Sequence, residues 1–368
     1  MSGSAPPVLA PIVAALPAST PFVPPEAIER QSGHRFRLRL GANESLFGPA
    51  ASVLAAMAEA AREIQLYGDP ECWELRQAIA RHHGLGPEHV VVASGADELL
   101  GLFVRAYLAP GELAVMSLGG YPTMAYQLDG HGARIERVPY ASFRNDGAAL
   151  AETATRTRAR LIYLANPDNP TGSWLDAEEQ RRLMRHLPPR CLLLIDEAYA
   201  DLAPPEALPP VDGEDRRIVR IRTFSKAHGL AGMRVGYAFG APETIRPIDR
   251  IRNQFGVGRL AQAAALAAIR DRTHVAAVRG LVEEGKRDHA AMAEKLGIVA
   301  LPSATNFTAF DLGSGERARA VLTRLRDRHG VFVRTGTGPL DRLLRITIGP
   351  EADRAVLAEA LAEAVEAR

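Results

Sequence analysis

Short apolar segments alternate with helix-like patterns through the middle of the chain. Runs rich in Val, Ile and Leu occur at residues 89–94, 113–118, 133–139, 160–165, 192–196, 218–223 and 234–239. Patterns typical of helices lie between several of these runs, for example at 97–107 and 177–186. Strands that are apolar on both faces and separated by helices are typical of a buried, mostly parallel sheet with helices on both sides. The pattern therefore predicts an α/β fold.

The pattern changes after about residue 275. A long charged helix is predicted over residues 274–296, followed by a strand at 306–311, a helix at 316–329 and strands at 331–334 and 344–348. Pro350 opens a final helix, at a position where its missing N–H costs nothing. We expect a large domain over residues 51–275 and a smaller C-terminal α/β domain over 276–368. Residues 1–50 are expected to form an N-terminal arm and a segment that packs on the small domain.

Composition and charge exclude several classes of protein. Apolar residues make up 47% and charged residues 24% of the 368 positions, as in ordinary globular proteins. A formal charge of +1 argues against a general nucleic-acid or membrane-surface binder, and no apolar run reaches the length of a membrane span. Two cysteines, Cys72 and Cys191, are too few for a disulfide framework or a zinc site. We expect a cytoplasmic protein without a metal centre, whose proline-rich first 20 residues form a loose leader arm rather than a secretory signal.

Lysine is scarce in this sequence. Only Lys226, Lys286 and Lys295 occur among the 44 basic residues. Arginine keeps its proton in proteins, whereas lysine can become a neutral nucleophile, so these three residues are the candidates for amine chemistry. Lys286 and Lys295 lie in a charged pattern typical of an exposed helix face. Lys226 instead lies among hydroxyls and glycines and is followed by Arg234.

Polar residues follow several of the predicted strands, at the edge of the sheet where open α/β proteins bind ligands. After 89–94, Gly95 permits a tight turn, and the free N–H groups of Ala96 and Asp97 could bind a phosphate at a helix start. A plain capped helix would give the same pattern. The stiff turn that carries Asn169 holds a side chain at the sheet edge, or is simply a turn. Asp196 ends the most apolar strand, where a carboxylate needs a cation or donor unless it only caps a helix.

Four motifs in this order resemble one family. S-G-A-D-E, N-P-D-N-P-T-G, I-D-E-A-Y and S-K-A-x-x-L-A-G-x-R begin at residues 94, 166, 195 and 225. They resemble the fold-type I pyridoxal-phosphate aminotransferases, and most of all the histidinol-phosphate aminotransferase group. The similarity extends to L-G-A-N-E-S-L-F-G-P at 40–49 and L-R-I-T-I-G at 344–349. The resemblance implies a three-layer large domain, a smaller C-terminal domain and pyridoxal 5'-phosphate as the cofactor.

The resemblance also implies roles for individual residues. Lys226 would bind the cofactor covalently and move the proton at the substrate carbon. Asp196 would pair with the cofactor ring nitrogen, Asn169 and Tyr199 would hydrogen-bond its phenolic oxygen, and Tyr121 would stack on its ring. The phosphate would be held by Gly95, Ala96, Asp97, Thr223, Ser225 and Arg234. The substrate would be bound by Arg345, Arg334 and Asn43. Tyr67 would reach the phosphate of the neighbouring subunit, which implies a homodimer with shared sites.

The sequence departs from the family pattern at several places that we expect on the substrate side. N-E-N-P is replaced by N-E-S-L at 43–46, a tyrosine–glycine–lysine segment by T-P-F-V-P-P at 20–25, and R-Y-P-D-P by L-Y-G-D-P at 66–70. His228 replaces the usual aromatic or aliphatic residue after Lys-Ala. The cofactor is therefore better defined than the substrate.

The expected function is transfer of an amino group between an amino acid or amino-alcohol phosphate and 2-oxoglutarate. One alternative is an aminotransferase of an aromatic or specialised-metabolite amino acid, and another is a decarboxylase or lyase on the same fold. A non-catalytic cofactor sensor would need a DNA-binding extension, and a nicotinamide dehydrogenase would need a G-x-G-x-x-G turn. Two arginines suit a phosphate and so favour histidinol phosphate, unless Arg334 only pairs with a nearby acid.

Overall fold

The computed structural model describes residues 7–17 and 22–366. Residues 1–6 and 18–21 of the predicted N-terminal arm lie outside this part of the chain. The strands are β1 (Leu38–Arg39), β2 (Val90–Ala93), β3 (Leu113–Ser117), β4 (Arg134–Val138), β5 (Leu161–Ala165), β6 (Leu192–Asp196), β7 (Ile218–Thr223), β8 (Gly236–Gly240), β9 (Val299–Ala300), β10 (Phe307–Asp311), β11 (Val331–Phe332), β12 (Arg334–Thr335) and β13 (Leu343–Thr347).

Helices connect most of these strands. They are α1 (Pro11–Ala14), α2 (Pro25–Ser32), α3 (Ala51–Ala60), α4 (Trp73–His83), α5 (Ala96–Tyr107), α6 (Pro122–His131), α7 (Gly147–Thr157), α8 (Ala177–Arg185), α9 (Pro242–Ile245), α10 (Arg259–Arg270), α11 (Arg272–Lys295), α12 (Gly315–His329) and α13 (Glu351–Glu366). In the described residues, no helix is both long and apolar enough to span a membrane.

Seven strands form one large sheet in the order β2-β8-β7-β6-β5-β3-β4. Strand β8 runs antiparallel to β2 and β7, and the other neighbouring pairs are parallel. Strands β5 and β6 are buried along their whole length. The predicted α/β fold with a mostly parallel sheet is confirmed.

Alternating residues of each strand pack against helices on opposite faces of this sheet. Leu161 and Tyr163 of β5 face a core shared with α5 and α6, whereas Ile162 and Leu164 face a core shared with α7 and α8. This alternation is the two-residue period of a strand, and it is why the runs contain no polar face. The result is a three-layer helix–sheet–helix arrangement whose strand ends converge at one edge.

A second sheet is built mainly from the C-terminal part of the chain. Its order is β12-β13-β10-β9, with antiparallel pairing throughout. The N-terminal strand β1 pairs in parallel with β11, which joins residues 38–39 to residues 331–332. Helix α11 runs through the predicted boundary at 275/276. The domain limits 1–50, 51–275 and 276–368 stay predictions.

One predicted strand, 331–334, is divided between two sheets. Residues Val331–Phe332 form β11 and pair with β1, whereas Arg334–Thr335 form β12 and pair with β13. The local pattern is continuous, so only the tertiary pairing reveals the division. As a consequence, Arg334 lies directly opposite Arg345 in the antiparallel register of β12 and β13.

Candidate active site

A cavity of about 650 Å³ opens at the carboxyl ends of β2, β3, β5, β6 and β7. This is the edge at which open α/β sheets bind ligands, because loops and helix starts from several strands meet there. Most of the predicted site residues line it, namely Asn43, Ala96, Asp97, Tyr121, Asn169, Asp196, Tyr199, Thr223, Ser225, Lys226, Arg234, Arg334 and Arg345. The structure thus brings together residues that are up to 302 positions apart in the sequence.

The start of α5 is open toward this cavity. Gly95 precedes the helix with φ = +88° and offers no side chain to cap it. The backbone angle favours glycine at this position, and the Arg234 guanidinium lies beside it, with Nη2 2.6 Å from where a Cβ would be. The first N–H groups of a helix lack intrahelical partners and carry the positive end of its dipole. At Ala96 and Asp97 these groups form an anion-binding position.

Two hydroxyls and a guanidinium lie beside this helix start. The Thr223 hydroxyl donates to Ser225 Oγ over 2.9 Å, and Arg234 Nη1 donates to the same Oγ over 3.4 Å. Arg234 also lies 3.7 Å from the Asp97 carboxylate. Backbone N–H groups, hydroxyls and an arginine together form the donor set that binds a phosphate.

Lys226 is a half-buried amine, and no carboxylate of the described residues lies within ion-pair distance of it. Its Nζ donates to the Asn43 carbonyl oxygen over 2.8 Å and lies 5.7 Å from the centroid of the Tyr199 ring. Burial, together with the nearby Arg345 cation, lowers the pKa of Lys226 to about 8. A substantial share of the amine is therefore neutral just above neutral pH, which is the state required of a nucleophile or base.

Asp196 is a buried carboxyl group at the end of β6. Its Oδ2 accepts a hydrogen bond from the Tyr163 hydroxyl over 2.8 Å, and its Oδ1 accepts from the Ala198 N–H over 3.1 Å. Burial raises the pKa of Asp196 to about 6, although both hydrogen bonds oppose the rise. Because both partners are neutral, a ligand group bearing a positive N–H would stabilise this carboxylate further.

Two tyrosines and two asparagines line the cavity near Lys226 and Asp196, namely Tyr199, Tyr121, Asn43 and Asn169. Asn43 Nδ2 donates to the Tyr199 hydroxyl over 2.8 Å, and burial raises the pKa of that hydroxyl to about 12. The Tyr121 hydroxyl donates to Asp97 over 2.9 Å. Asn169 Oδ1 accepts a hydrogen bond from Arg345. The cavity therefore contains amide and phenol donors close to Lys226.

Arg345 and Arg334 occupy the side of the cavity formed by the second sheet. Arg345 donates to the Gly41 carbonyl oxygen over 2.7 Å, as well as to Asn169. Arg334 donates to the Val23 carbonyl oxygen over 2.6 Å. The Nε of each arginine is buried without a hydrogen-bond partner in the described part of the protein. Burial lowers the pKa of both groups, in the case of Arg334 to about 10.

Comparison with known proteins gives the family of this arrangement. A family model described as aminotransferase class I and II matches residues 37–362. The chain belongs to this family. The histidinol-phosphate aminotransferase of Moorella thermoacetica is 35% identical over 348 residues, which cover 93% of this chain and 89% of that protein. The histidinol-phosphate aminotransferase of an Anaeromyxobacter species is 37% identical over 350 residues, or 93% and 95% of the two chains.

A solved structure shows the same similarity. The crystal structure of histidinol-phosphate aminotransferase from Sinorhizobium meliloti in complex with pyridoxal-5'-phosphate superposes with a TM-score of 0.95 and 44% sequence identity, covering 98% of each chain. The resemblance predicted from the motifs is therefore confirmed.

Tyr67 is a predicted site residue that the aminotransferase chain does not bring to its own cavity. Its side chain is 79% exposed, and its ring lies 4.7 Å from that of Phe255. Exposed Ile64 and Leu66 lie beside it in the sequence. Its predicted role at a neighbouring subunit's phosphate stays a prediction.

The departures from the family pattern do not all lie on the substrate side. Phe22, Pro24 and Pro25 of the altered N-terminal segment line the cavity, whereas Ser45 and Leu46, the altered positions of the 43–46 motif, are not among its lining residues. Residues 20 and 21 of the altered N-terminal segment lie outside the described residues. His228 is buried, and its Nε2 lies 3.5 Å from the Asp201 carboxylate. It is not among the residues that line the cavity, so the expectation for His228 is wrong: the side chain belongs to the support of the Lys226 loop rather than to the pocket.

Sequence reasoning missed residues that hold the end of β6, where Asp196 lies, in place. Tyr163 lies two residues before Ala165, which is directly opposite Asp196 in the parallel register of β5 and β6. Glu197 accepts hydrogen bonds from Arg220 over 2.6 Å and from Arg222 over 2.8 Å, so it ties β6 to β7. Two features of the sequence could have revealed them. Tyr163 is the one polar side chain in the apolar run of β5, and Arg220 and Arg222 lie two positions apart, on the same face of the buried strand β7.

Proposed function

We propose that the protein is a pyridoxal-phosphate-dependent aminotransferase that takes the amino group of histidinol phosphate and gives it to 2-oxoglutarate. Relatives at 35–44% identity that carry this activity in their names support the proposal. The observation that carries the choice of donor is the pair of arginines on facing positions of β12 and β13. It works as a small-molecule enzyme in a reducing cytoplasm, in keeping with its two buried free cysteines.

The residues of the cavity fit pyridoxal phosphate. The open start of α5, where a Cβ at Gly95 would collide with Arg234, suits the phosphate. The Asp196 carboxylate, buried between a hydroxyl and an amide, suits a protonated ring nitrogen. Lys226 supplies an amine of lowered pKa for the covalent link. When bound, the cofactor supplies an electron sink for the carbanion at the substrate carbon.

The protein residues then have definite tasks in the transfer. In its neutral form, Lys226 Nζ would take the proton from the substrate α-carbon and hold it as the ammonium until it is returned. Asp196 keeps its partner nitrogen protonated, a role that a carboxylate fixed by Tyr163 can perform without reorganisation. Asn169 and Tyr199 are placed to donate hydrogen bonds across the cavity, and Arg345 orients the substrate anion.

Two facing guanidinium groups are an unfavourable arrangement unless an anion lies between them. Residues directly opposite each other in antiparallel strands project to the same face, and like charges at such positions repel. The pKa of Arg334 is lowered first by burial and then by the charge of Arg345. A phosphate dianion relieves this repulsion better than a single carboxylate does. Histidinol phosphate has such a group near its amine-bearing carbon.

The alternative for Arg334, pairing with a nearby acid, has no support in the described residues. Its partners are the Val23 carbonyl oxygen and the rings of Phe22 and Phe332, whose centroids lie 3.7 Å and 5.2 Å from the guanidinium carbon. A carbonyl and two rings leave the full positive charge in place. Arg334 is thus available to a substrate anion.

Arg334→Ala is expected to lower kcat/KM for histidinol phosphate by about 10- to 100-fold, since a hydrogen bond between charged groups is worth ~1.5–3 kcal/mol. The measurement compares histidinol phosphate, histidine, phenylalanine and tyrosine as donors to 2-oxoglutarate. Arg319→Ala, which removes a surface arginine paired with Asp341, serves as the matched control. The proposal that Arg334 and Arg345 together bind the donor's phosphate is refuted if the wild-type protein prefers phenylalanine or tyrosine, or if Arg334→Ala slows every donor equally. A specialised amino acid then becomes the better candidate for the donor.

We also propose a homodimer in which Tyr67 serves the partner's site. The exposed apolar surface around Tyr67, which includes Ile64, Leu66 and Phe255, supports a buried position in an assembly. Mixing Lys226→Ala chains with Tyr67→Ala chains should restore roughly a quarter of the wild-type sites, because each hybrid dimer has one complete site. The assay measures activity after subunit exchange that is verified with a tagged chain. Absence of recovery in exchanged dimers would show that Tyr67 acts in its own subunit or not at all.

A further inference from the structure

The N-terminal segment before α2 holds Arg334 in place. The Phe22 ring lies flat against the cavity side of the second sheet, with its centroid 3.7 Å from the Arg334 guanidinium carbon. The next residue, Val23, accepts a hydrogen bond from Arg334 Nη2 through its carbonyl oxygen. Phe332 lies on the same guanidinium at 5.2 Å. Arg334 is therefore positioned by two aromatic rings and one carbonyl.

This form of support leaves the arginine free to bind an anion. A guanidinium has five N–H donors in its plane, and a stacked ring occupies only its face. A carboxylate partner would instead occupy two edge donors and neutralise the charge. The Val23 carbonyl takes one donor on Nη2, and Nε has no partner in the residues described. The stacked arrangement fixes the orientation of Arg334 while it keeps donors for a substrate.

The segment that carries Phe22 is itself anchored. Pro24 and Pro25 follow directly, and their rings restrict the backbone where α2 begins. Glu26 forms an ion pair with Arg39 of β1, and β1 pairs with β11, the strand that precedes Arg334. The chain is thus tied back to the strands that present Arg334. Little conformational freedom remains to be lost when a substrate binds.

We propose that Phe22 is a positioning residue that sets the preference for a phosphorylated donor through Arg334. The inference rests on the proposed function. It adds that the segment at 22–25 affects which donor the protein prefers and not how it binds the cofactor. Arg345 is held separately by Asn169 and the Gly41 carbonyl, so it does not depend on Phe22. A donor whose anion needs both arginines therefore depends on Phe22. Glutamate, whose α-carboxylate one arginine can bind, depends on it much less.

The test measures the two half-reactions separately, as the rate of cofactor absorbance change against donor concentration. For Phe22→Ala, the half-saturating concentration of histidinol phosphate should rise about 3- to 20-fold, because the cation–π contact that positions Arg334 is lost. The maximal rate and the glutamate half-reaction should stay within about twofold. Phe22→Trp should restore the wild-type value, because it keeps a ring over the guanidinium. Tyr126→Ala, at a position of nearly equal exposure on α6 (42% against 44%), is the matched control.

A double-mutant cycle separates a link to Arg334 from a general effect of the segment. With Arg334→Ala already present, Phe22→Ala should cause no further change in histidinol phosphate saturation. Additive effects, or equal losses with glutamate and histidinol phosphate, would overturn the inference. A wild-type protein that does not use histidinol phosphate would overturn the proposed function instead. A wild-type protein that uses it while Phe22→Ala behaves identically would overturn only the role of Phe22.

Discussion

Lys226→Ala removes the visible absorbance of the lysine-bound cofactor and lowers turnover by at least about 10³-fold, on the scale of losing the group that acts as nucleophile and base. Among the three lysines of the chain, Lys226 is the one that lines the cavity. Its pKa, lowered to about 8 by burial and by Arg345, places a neutral amine within reach of neutral pH. The measurement is the absorbance spectrum of the reconstituted protein together with steady-state turnover.

The other two lysines provide the control for this experiment. Lys286 forms an ion pair with Glu283 over 2.7 Å on helix α11, and Lys295 ends the same helix. The Lys286 side chain is only 14% exposed, so the predicted exposed helix face is wrong for this residue, whereas Lys295 is exposed. Because neither lysine lines the cavity, Lys286→Ala and Lys295→Ala should keep both the absorbance and the turnover of the wild type within about twofold. Wild-type turnover in Lys226→Ala would contradict the mechanism outright.

Asp196→Asn is expected to retain the cofactor but to react about 10²–10³-fold more slowly, the usual effect of losing one preorganised electrostatic partner. The amide keeps the size of the carboxyl group and can still accept a hydrogen bond from Tyr163. It has no charge with which to stabilise a protonated ring nitrogen. The measurement is kcat, with cofactor content determined independently by absorbance after denaturation.

Tyr163→Phe distinguishes the charge of Asp196 from its hydrogen bonding. This variant keeps the carboxyl group and removes a hydrogen bond that lowers its pKa, so the pKa of Asp196 rises further. The cost should be much smaller than that of Asp196→Asn, on the order of tenfold or less. If Asp196→Asn itself stays within about threefold of the wild type, the residue serves only the local turn with Ala198.

The strands of the large sheet could be predicted from the sequence because a strand that is buried on both faces has apolar residues at nearly every position. The run at 192–196 coincides with β6, and the run at 218–223 coincides with β7. The run at 234–239 begins too early, since β8 starts at Gly236 after Arg234 adopts a left-handed conformation with φ = +50°. The Arg234 guanidinium lies beside Gly95, a contact that no local pattern contains.

The convergence of the site residues could also be predicted, for a topological reason. Parallel strands place their carboxyl ends at one edge, so polar residues that follow each strand must meet there. Asp196, Asn169 and the helix start at Ala96 and Asp97 are predicted to meet on this basis, and all of them line the cavity. Their roles toward the cofactor came from resemblance to a family rather than from the pattern.

Contacts between distant segments could not be predicted. Phe22 and Arg334 are more than 300 residues apart in the sequence. Their contact depends on the position of Arg334 in β12, whereas the sequence predicts one continuous strand over 331–334. The approach of His228 to Asp201 likewise depends on how the loop after β7 folds against the loop after β6. In both cases the sequence departs from the family pattern at that residue, but the partner of the residue is a property of the tertiary structure.

The most direct test of the proposed reaction is one cycle of the two half-reactions on the purified, cofactor-loaded protein. Histidinol phosphate is added first without an acceptor, and the visible absorbance of the lysine-bound cofactor is followed by stopped flow. The account predicts that this absorbance disappears in a single turnover, that 2-oxoglutarate restores it, and that one equivalent of glutamate appears. A protein that binds the cofactor through Lys226 but shows no absorbance change with histidinol phosphate, or that releases inorganic phosphate from it instead of forming glutamate, would contradict it.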